Sequence, residues 1–295
     1  MVHQRSLQLV VLVMTCVANL LPPWAQASEI EEQLKAEYQN KVLTQRHFYQ
    51  GSKLQFDSNG QVVGDATLGP WTVDAQINIK EIHLHERLLQ LKGQRVFLFF
   101  DSTTNRMKNV IGITASDPLS KEFRQFGSKA WPKFEKSADV EVDLDLASTP
   151  KDEKEVASAI NVIFLTPNDD LAEFVPESWK GFVLKQEGKS QALRTPASVY
   201  VYKVGRDMSP PRALQAPDPE YSEIARQAGF HGTTVLWLVV TPDGSAPYIS
   251  VARPAGLGLD EKAVQAVSTW KFEPARKDGS PVAVQINVEV TFRLY

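Results

Sequence analysis

Two histidines are the first residues of this 295-residue sequence whose types and spacing could do chemistry. His83 and His85 lie two apart in an alternating segment, so a strand would point both to one face with Glu86 beside them, the geometry of a two-histidine metal clip. That face is opposite Ile82 and Leu84, which predicts a solvated pair rather than a metal site. The run Asp139 to Leu146 puts Val140, Val142, Leu144 and Leu146 on one strand face and four acids on the other. Such a row could hold calcium, but it ordinarily lies in solvent, where it discourages edge-to-edge pairing. His47 and His231 stand alone and read as surface or capping residues. No serine sits in G-x-S-x-G, no glycine cluster follows a strand in phosphate-binding spacing, and no H-E-x-x-H occurs. Trp71, Trp131, Trp179, Trp237 and Trp270 could stack a ligand, but large aromatics usually supply core volume. The expectation is no catalytic residue, no metal, no cofactor and no enzyme. A metal-dependent hydrolase would have to be built on His83 and His85.

The start of the chain speaks to its compartment. Arg5 precedes an apolar run from Leu7 to Leu21, Pro22-Pro23 stops it, and Ala25-Gln26-Ala27 offers small residues at A-x-A spacing. This reads as a secretory signal peptide over residues 1–27, with an uncleaved anchor as the alternative use of the same segment. The run is shorter than the roughly 20 residues of a membrane span. Cys16, the only cysteine, lies within it, so the remainder has no disulfide, thiolate metal site or cysteine nucleophile. With 32 basic and 35 acidic side chains there is no basic surplus, which argues against a nucleic-acid partner.

Residues 28–205 read as a β-rich module with a few helices and no assigned role. Ile30, Leu34 and Tyr38 are a helical turn apart. Asp57-Ser58-Asn59-Gly60 signals a turn between Leu54-Gln55-Phe56 and Val62-Val63. The apolar phase of Ile77 and Ile79 slips by one at Lys80-Glu81 before Ile82 and Leu84, which predicts a bulge or tight turn. Lys92-Gly93 reads as a turn, and Val96 to Phe100, apolar on both faces, as a central buried strand. Thr149-Pro150 predicts a helix start with Val156, Ala159, Ile160, Ile163 and Phe164 on its buried side. A further helix is predicted from Asp169-Asp170 to about Pro176 or Trp179.

A proline-spaced linker, residues 206–218, leads into a small α/β domain, residues 219–295. Tyr221, Ile224, Ala225 and Ala228 share a helical face closed by Gly229. A strand from Thr233 to Thr241, the turn Pro242-Asp243-Gly244-Ser245 and the returning Tyr248 to Val251 form a hairpin. A helix with Leu259, Ala263, Ala266 and Val267 inward carries Asp260-Glu261 in its first turn, where acids suit the helix dipole. Trp270 and Phe272 anchor its exit before Pro274, Asp278-Gly279 turns the chain, and Pro281 to Leu294 reads as one long alternating strand. The fold class expected is α+β.

These residues together, with Gly232, Val235, Ala275, Val282 and the closing Val290-Thr291-Phe292, resemble the C-terminal domain of the TonB family. The structural positions of that resemblance are Tyr221, Gly232, Asp243, Gly244, Leu259, Asp260, Ala263, Trp270, Phe272, Pro274, Gly279 and Pro281. It implies a non-enzymatic cell-envelope protein, periplasmic or anchored in the inner membrane and facing the periplasm, serving TonB-dependent transmembrane transport. The implied partners are an outer-membrane TonB-dependent transporter or another envelope protein, ExbB and ExbD if the chain is anchored, and a second copy of itself as a homodimer. In that family an edge strand of the domain pairs with a short extended peptide of the transporter. The corresponding residues would be Val282, Val284, Ile286 and Val288 on one side of the final strand, Gln285, Asn287 and Glu289 on the other, and Gln215 and Pro217 nearby. Proline at Ile286 is expected to remove a backbone donor from that edge. The rival reading is a periplasmic scaffolding protein with no energy transduction.

Overall fold

The computed structural model describes residues 23–110, 138–189, 199–205 and 207–294. The apolar run before Pro23 and Trp131 lie outside these residues. Helix α1 (Pro23–Tyr38) buries Ile30, Leu34 and Tyr38, one turn apart. It runs through the Ala27–Ser28 junction, so a chain cut there would keep that stripe.

Strands β1 (Val42–Thr44) and β2 (Lys53–Phe56), the short helix α2 (Trp71–Asp74), strands β3 (Gln76–His85), β4 (Leu88–Asp101), β5 (Arg106–Val110) and β6 (Asp139–Asp145), and helix α3 (Glu153–Ile163) build the middle region. The strands form a sheet in the order β1-β3-β4-β6-β2, with β5 on the far half of β4. Ile77, Ile79, Ile82, Leu89, Leu91, Val142 and Leu144 line the face on which α1 and α3 pack. The slip at Lys80 is a bulge: the register with β4 shifts between Ile79 and Glu81. At Asp57 the turn signal is realised, its carboxylate accepting the Asn59 and Gln61 N–H groups at 2.9 and 2.8 Å. The returning arm makes a single bridge, Phe56 to Val62.

Three local readings need correction. Lys92-Gly93 is not a turn, because β4 runs straight through it. A Cβ on Gly93 would lie 2.4 Å from Asn78 O, so this glycine serves a close backbone approach beside the bulge. Helix α3 is capped by Asp152, which accepts from Glu155 N, rather than by Thr149. The helix begun at Asp170 lasts one turn as α4 (Leu171–Phe174). Val175 is extended ahead of Pro176, as a residue before proline prefers, and a separate helix α5 (Glu177–Gln186) follows.

Strands β7 (Tyr202–Lys203), β8 (Met208–Ser209) and β9 (Arg212–Gln215) precede helix α6 (Glu223–Gln227), strands β10 (Gly232–Val240) and β11 (Tyr248–Arg253), and helix α7 (Leu259–Ser268). Strands β12 (Lys271–Glu273), β13 (Ala275–Lys277), β14 (Ser280–Val282) and β15 (Val284–Phe292) complete the chain. The main sheet here runs β11-β10-β15-β7, and β8 and β9 lie against β13 and β12. The stretch from Pro281 to Leu294 is therefore not one strand. Asp278 and Gly279, both at positive φ (51° and 81°), form a two-residue hairpin that turns β14 back on β13, and the chain changes sheets at Ala283.

The two halves share one core. Trp71, Val73, Phe97, Leu98 and Phe99 from the middle region join Trp179 and Phe182 of α5, and Leu236, Val251, Leu257, Leu259 and Ala263 from the C-terminal region, in a single buried cluster. The fold class is α+β.

Candidate functional site

The C-terminal sheet has two margins, and the sequence places different chemistry on each. On the β11 side, helix α5 packs against the strand, and the loop after Arg253 is drawn onto β4. Phe100 N–H donates to Ala255 O at 2.9 Å and Leu257 N–H to Leu98 O at 2.8 Å, so this loop pairs with β4. Gly256 makes that approach, at φ 101°, with a Cβ position only 2.4 Å from both Leu98 O and Phe99 Cα.

Asp260 holds the loop from within. Fully buried, its carboxylate accepts from Thr234 Oγ1 at 2.7 Å, Ala255 N at 2.8 Å and Gly256 N at 2.7 Å. Its role exceeds the dipole complement read from its first-turn position: it satisfies two loop amides that would otherwise be orphaned. Next to it, Glu261 reaches across to the middle region, its carboxylate accepting from Thr72 N at 3.3 Å and Thr72 Oγ1 at 3.1 Å. The Gly258 N–H donates to the same Thr72 Oγ1 at 2.8 Å. Burial, then the neighbouring Asp260 charge, pushes Glu261 above the usual carboxylate range. An acid whose folded pKa is raised favours folding while protonated. Its contribution is thus full at low pH and lost as pH rises from the ordinary carboxylate range, about 4.3, toward its folded pKa. Glu261→Gln keeps an acceptor for Thr72 without the charge. Burial also raises the Asp260 and Asp74 carboxyls, so both chains lose stability as pH rises. Thermal melts between about pH 5 and 8 are expected to show a steeper loss in the wild-type chain than in the variant, and parallel curves would contradict it.

The β15 margin is open by contrast. Strand β10 pairs with the whole of β15 without a register shift, Val240 to Val284 through Gly232 to Phe292. On the outer side only β7 pairs, in parallel, at Val284 and Gln285. Tyr202 N–H donates to Ala283 O at 2.9 Å, which fixes the phase of the strand. In a regular strand the backbone groups of alternate residues face opposite neighbours. Gln285, Asn287, Glu289 and Thr291 therefore aim N–H and C=O outward, while Val284, Ile286, Val288 and Val290 aim theirs at β10. From Asn287 onward these outward groups have no strand partner among the described residues.

The phase corrects two sequence-level expectations. The Ile286 N–H faces β10, so proline there would break the internal sheet rather than the edge. Val282 belongs to β14, opposite Ala275, and not to this margin. Side chains sort as the alternation predicts: Val284 is buried, with Ile286 and Val288 packed against the shared core, while Asn287 and Glu289 are exposed. Gln215 pairs with Lys271 on β12, and Pro217 accepts the Trp270 indole N–H at 3.0 Å; neither is paired with β15.

The remaining positions are supports. The Tyr221 hydroxyl donates to Phe230 O, and its ring meets Phe292 edge-on at 5.6 Å. Gly232 faces the Ala255 methyl, 2.9 Å from where a Cβ would stand. The Asp243 carboxylate accepts from Thr241 and Ser245 hydroxyls, and Gly244 O accepts the Phe272 N–H at 2.9 Å. Leu259, Ala263 and Phe272 are buried, Pro274 separates β12 from β13, and Pro281 lies opposite Arg276 on β14.

Elsewhere, His83 and His85 stack with ring centroids 6.3 Å apart, and His83 Nε2 lies 3.4 Å from Glu81 Oε2. Among the described residues no three His, Cys, Asp or Glu side chains are placed to hold a metal ion. The acidic row on β6 is not an edge guard, because β6 lies between β4 and β2. Glu141 and Asp143 take Lys53 Nζ at 2.7 and 3.1 Å. Among the described residues no helix is long and apolar enough to cross a membrane.

Sequence reasoning missed Gly256, the Thr72–Glu261 contact and β7. Gly256-Leu257-Gly258 carried a signal, since all three adopt positive φ (101°, 53° and 78°) and two are glycine. The β-branched and aromatic run Val199 to Val204 marked β7 as strand-forming.

Residues 217–294 match the family described as Gram-negative bacterial TonB protein C-terminal. The chain is 35% identical over 82 residues to Protein tonB2 of Pseudomonas aeruginosa, a match covering 28% of this chain and 30% of that protein. It is 34% identical over 77 residues to Protein TonB of Vibrio cholerae, covering 26% and 32%. The chain thus spans about a third of the length of these curated relatives. The solution NMR structure of the Pseudomonas aeruginosa TonB CTD aligns with 26% identity and a TM-score of 0.25, covering 30% of this chain and 89% of that one.

Proposed function

We propose that this chain, a TonB family protein whose residues 217–294 form the TonB C-terminal domain, binds a cell-envelope partner by accepting an extended peptide along β15. The observation that carries the reading is the outer margin from Asn287 to Thr291, whose backbone donors and acceptors no other strand of the described residues takes. An added strand would set its own alternate side chains against Ile286 and Val288 on one face and Asn287 and Glu289 on the other. The setting is TonB-dependent transport, directly or as an accessory, with an outer-membrane transporter as partner and no chemistry catalysed. Val284 to Glu289, without Val282, are the contact set, and Gln215 and Pro217 act indirectly through β12 and Trp270.

The test compares proline variants for binding a panel of N-terminal peptides from outer-membrane transporters of the same cell. Asn287→Pro and Glu289→Pro remove outward donors while leaving the bonds to β10, and each is expected to weaken binding by at least tenfold with the fold retained. Undiminished binding by both variants rejects the edge.

A second reading, a periplasmic scaffold without energy transduction, is favoured by the shared core, which ties the C-terminal region to a folded module. Intact mass after cell fractionation separates the two. A chain beginning at Ser28 in the soluble periplasm supports the scaffold or accessory, and a full-length chain in the inner membrane supports a transducer that meets ExbB and ExbD.

A further inference from the structure

The first positions of the β15 margin are already filled by the chain itself. Val199-Tyr200-Val201-Tyr202-Lys203-Val204 has the β-branched and aromatic composition of a strand, but only Tyr202 and Lys203 pair. The parallel register directs Gln285 N–H to Tyr202 O and Val204 N–H to Gln285 O, alongside the Tyr202 N–H bond to Ala283 O. Beyond these bonds the segment is held by Tyr202, which packs against the shared core with Lys277 Nζ 4.9 Å from its ring centroid. Its flanks are exposed by comparison: Tyr200, whose ring meets that of Tyr202 edge-on at 4.6 Å, is 74% exposed and Val204 42% exposed.

We infer that residues 199–204 are an intramolecular stand-in for the partner peptide, occupying the start of the β15 margin until a partner strand displaces them. The inference rests on the reading that this margin is the partner site, and it adds that access to the site is regulated from within. A peptide that needs Ala283 and Gln285 as well as the open positions binds only chains in which β7 has detached, and its apparent affinity falls by that fraction. A peptide content with Asn287 to Thr291 makes fewer bonds. The resident strand thus sets a minimum length and complementarity for partners.

The probe is a synthetic peptide with the sequence of residues 199–204, blocked at both ends and titrated into the full chain. Tyr202→Pro and Val204→Pro each remove a donor of β7. Lys203→Pro is the matched control, because its N–H faces away from β15. The first two variants are expected to bind the peptide about tenfold more tightly than wild type, and the control as wild type. Amide exchange at Gln285 is expected to accelerate in the first two chains alone. Equal affinity across all four chains, with loss of binding on Asn287→Pro, would overturn the stand-in while leaving the edge site. Binding to none of them would overturn both. Should Tyr202→Pro fail to fold, Val204→Pro carries the same comparison.

Discussion

Replacing Gly256 by alanine is expected to cost about 3 kcal/mol or more, a large part of the roughly 5–15 kcal/mol that stabilises a typical protein. At φ 101° an L-residue is strained whatever the space, and here there is none: the new methyl would lie 2.4 Å from both Leu98 O and Phe99 Cα. Neither atom can yield cheaply, since both belong to the backbone of β4, the strand on which the middle sheet is built. Relief requires the loop to lift from β4, breaking the Phe100–Ala255 and Leu257–Leu98 hydrogen bonds and drawing Asp260 away from its loop amides. Differential scanning calorimetry should show a fall in melting temperature of about 6–12 °C, by the usual conversion for a chain of this size. The wild-type chain, with its shared core, is expected to melt in one transition and the variant in two, as the halves lose their junction. A melt within 1–2 °C of wild type would mean that the halves do not depend on this contact.

Trp179→Ala is expected to be comparably severe, at about 3–5 kcal/mol. The indole is completely buried on α5, meets Trp71 at 4.7 Å and Phe182 at 5.8 Å, and lies in the cluster that both halves contribute to. Truncation leaves a cavity that neither the β4 strand nor the C-terminal sheet can refill alone. Among the described residues the indole N–H has no hydrogen-bond partner, so Trp179→Phe preserves most of the packing and forfeits none of the bonds seen there. Urea titration should place it well above the alanine variant, and equal loss in both would assign the effect to something other than volume.

The packing of the two halves on one core was harder to read than the elements themselves. The stripe of α1, the bulge at Lys80 and the burial of β4 all follow from apolar periodicity, which is a local property of the chain. The C-terminal elements were legible for the same reason, helped by turn residues with a single use, such as Asp278-Gly279. What failed were glycines and prolines with two physical roles. Gly93 reads as a turn but permits close strand approach, and Pro176 reads as the end of one helix but separates two. The direction of the Ile286 amide depends on which residue pairs with β10, and alternation alone gives the side-chain faces without that pairing. Contacts such as Thr72 to Glu261 join residues far apart in sequence, and no periodicity announces them.

Amide hydrogen exchange along β15 tests the central claim most directly. In the free chain the amides of Ile286, Val288 and Val290, bonded to β10, are expected to exchange slowly, and those of Asn287, Glu289 and Thr291 fast. Adding a bound envelope peptide should slow the second set at alternate residues and leave the first unchanged. Protection that appears instead along β11, or nowhere on β15, would contradict partner binding at this edge.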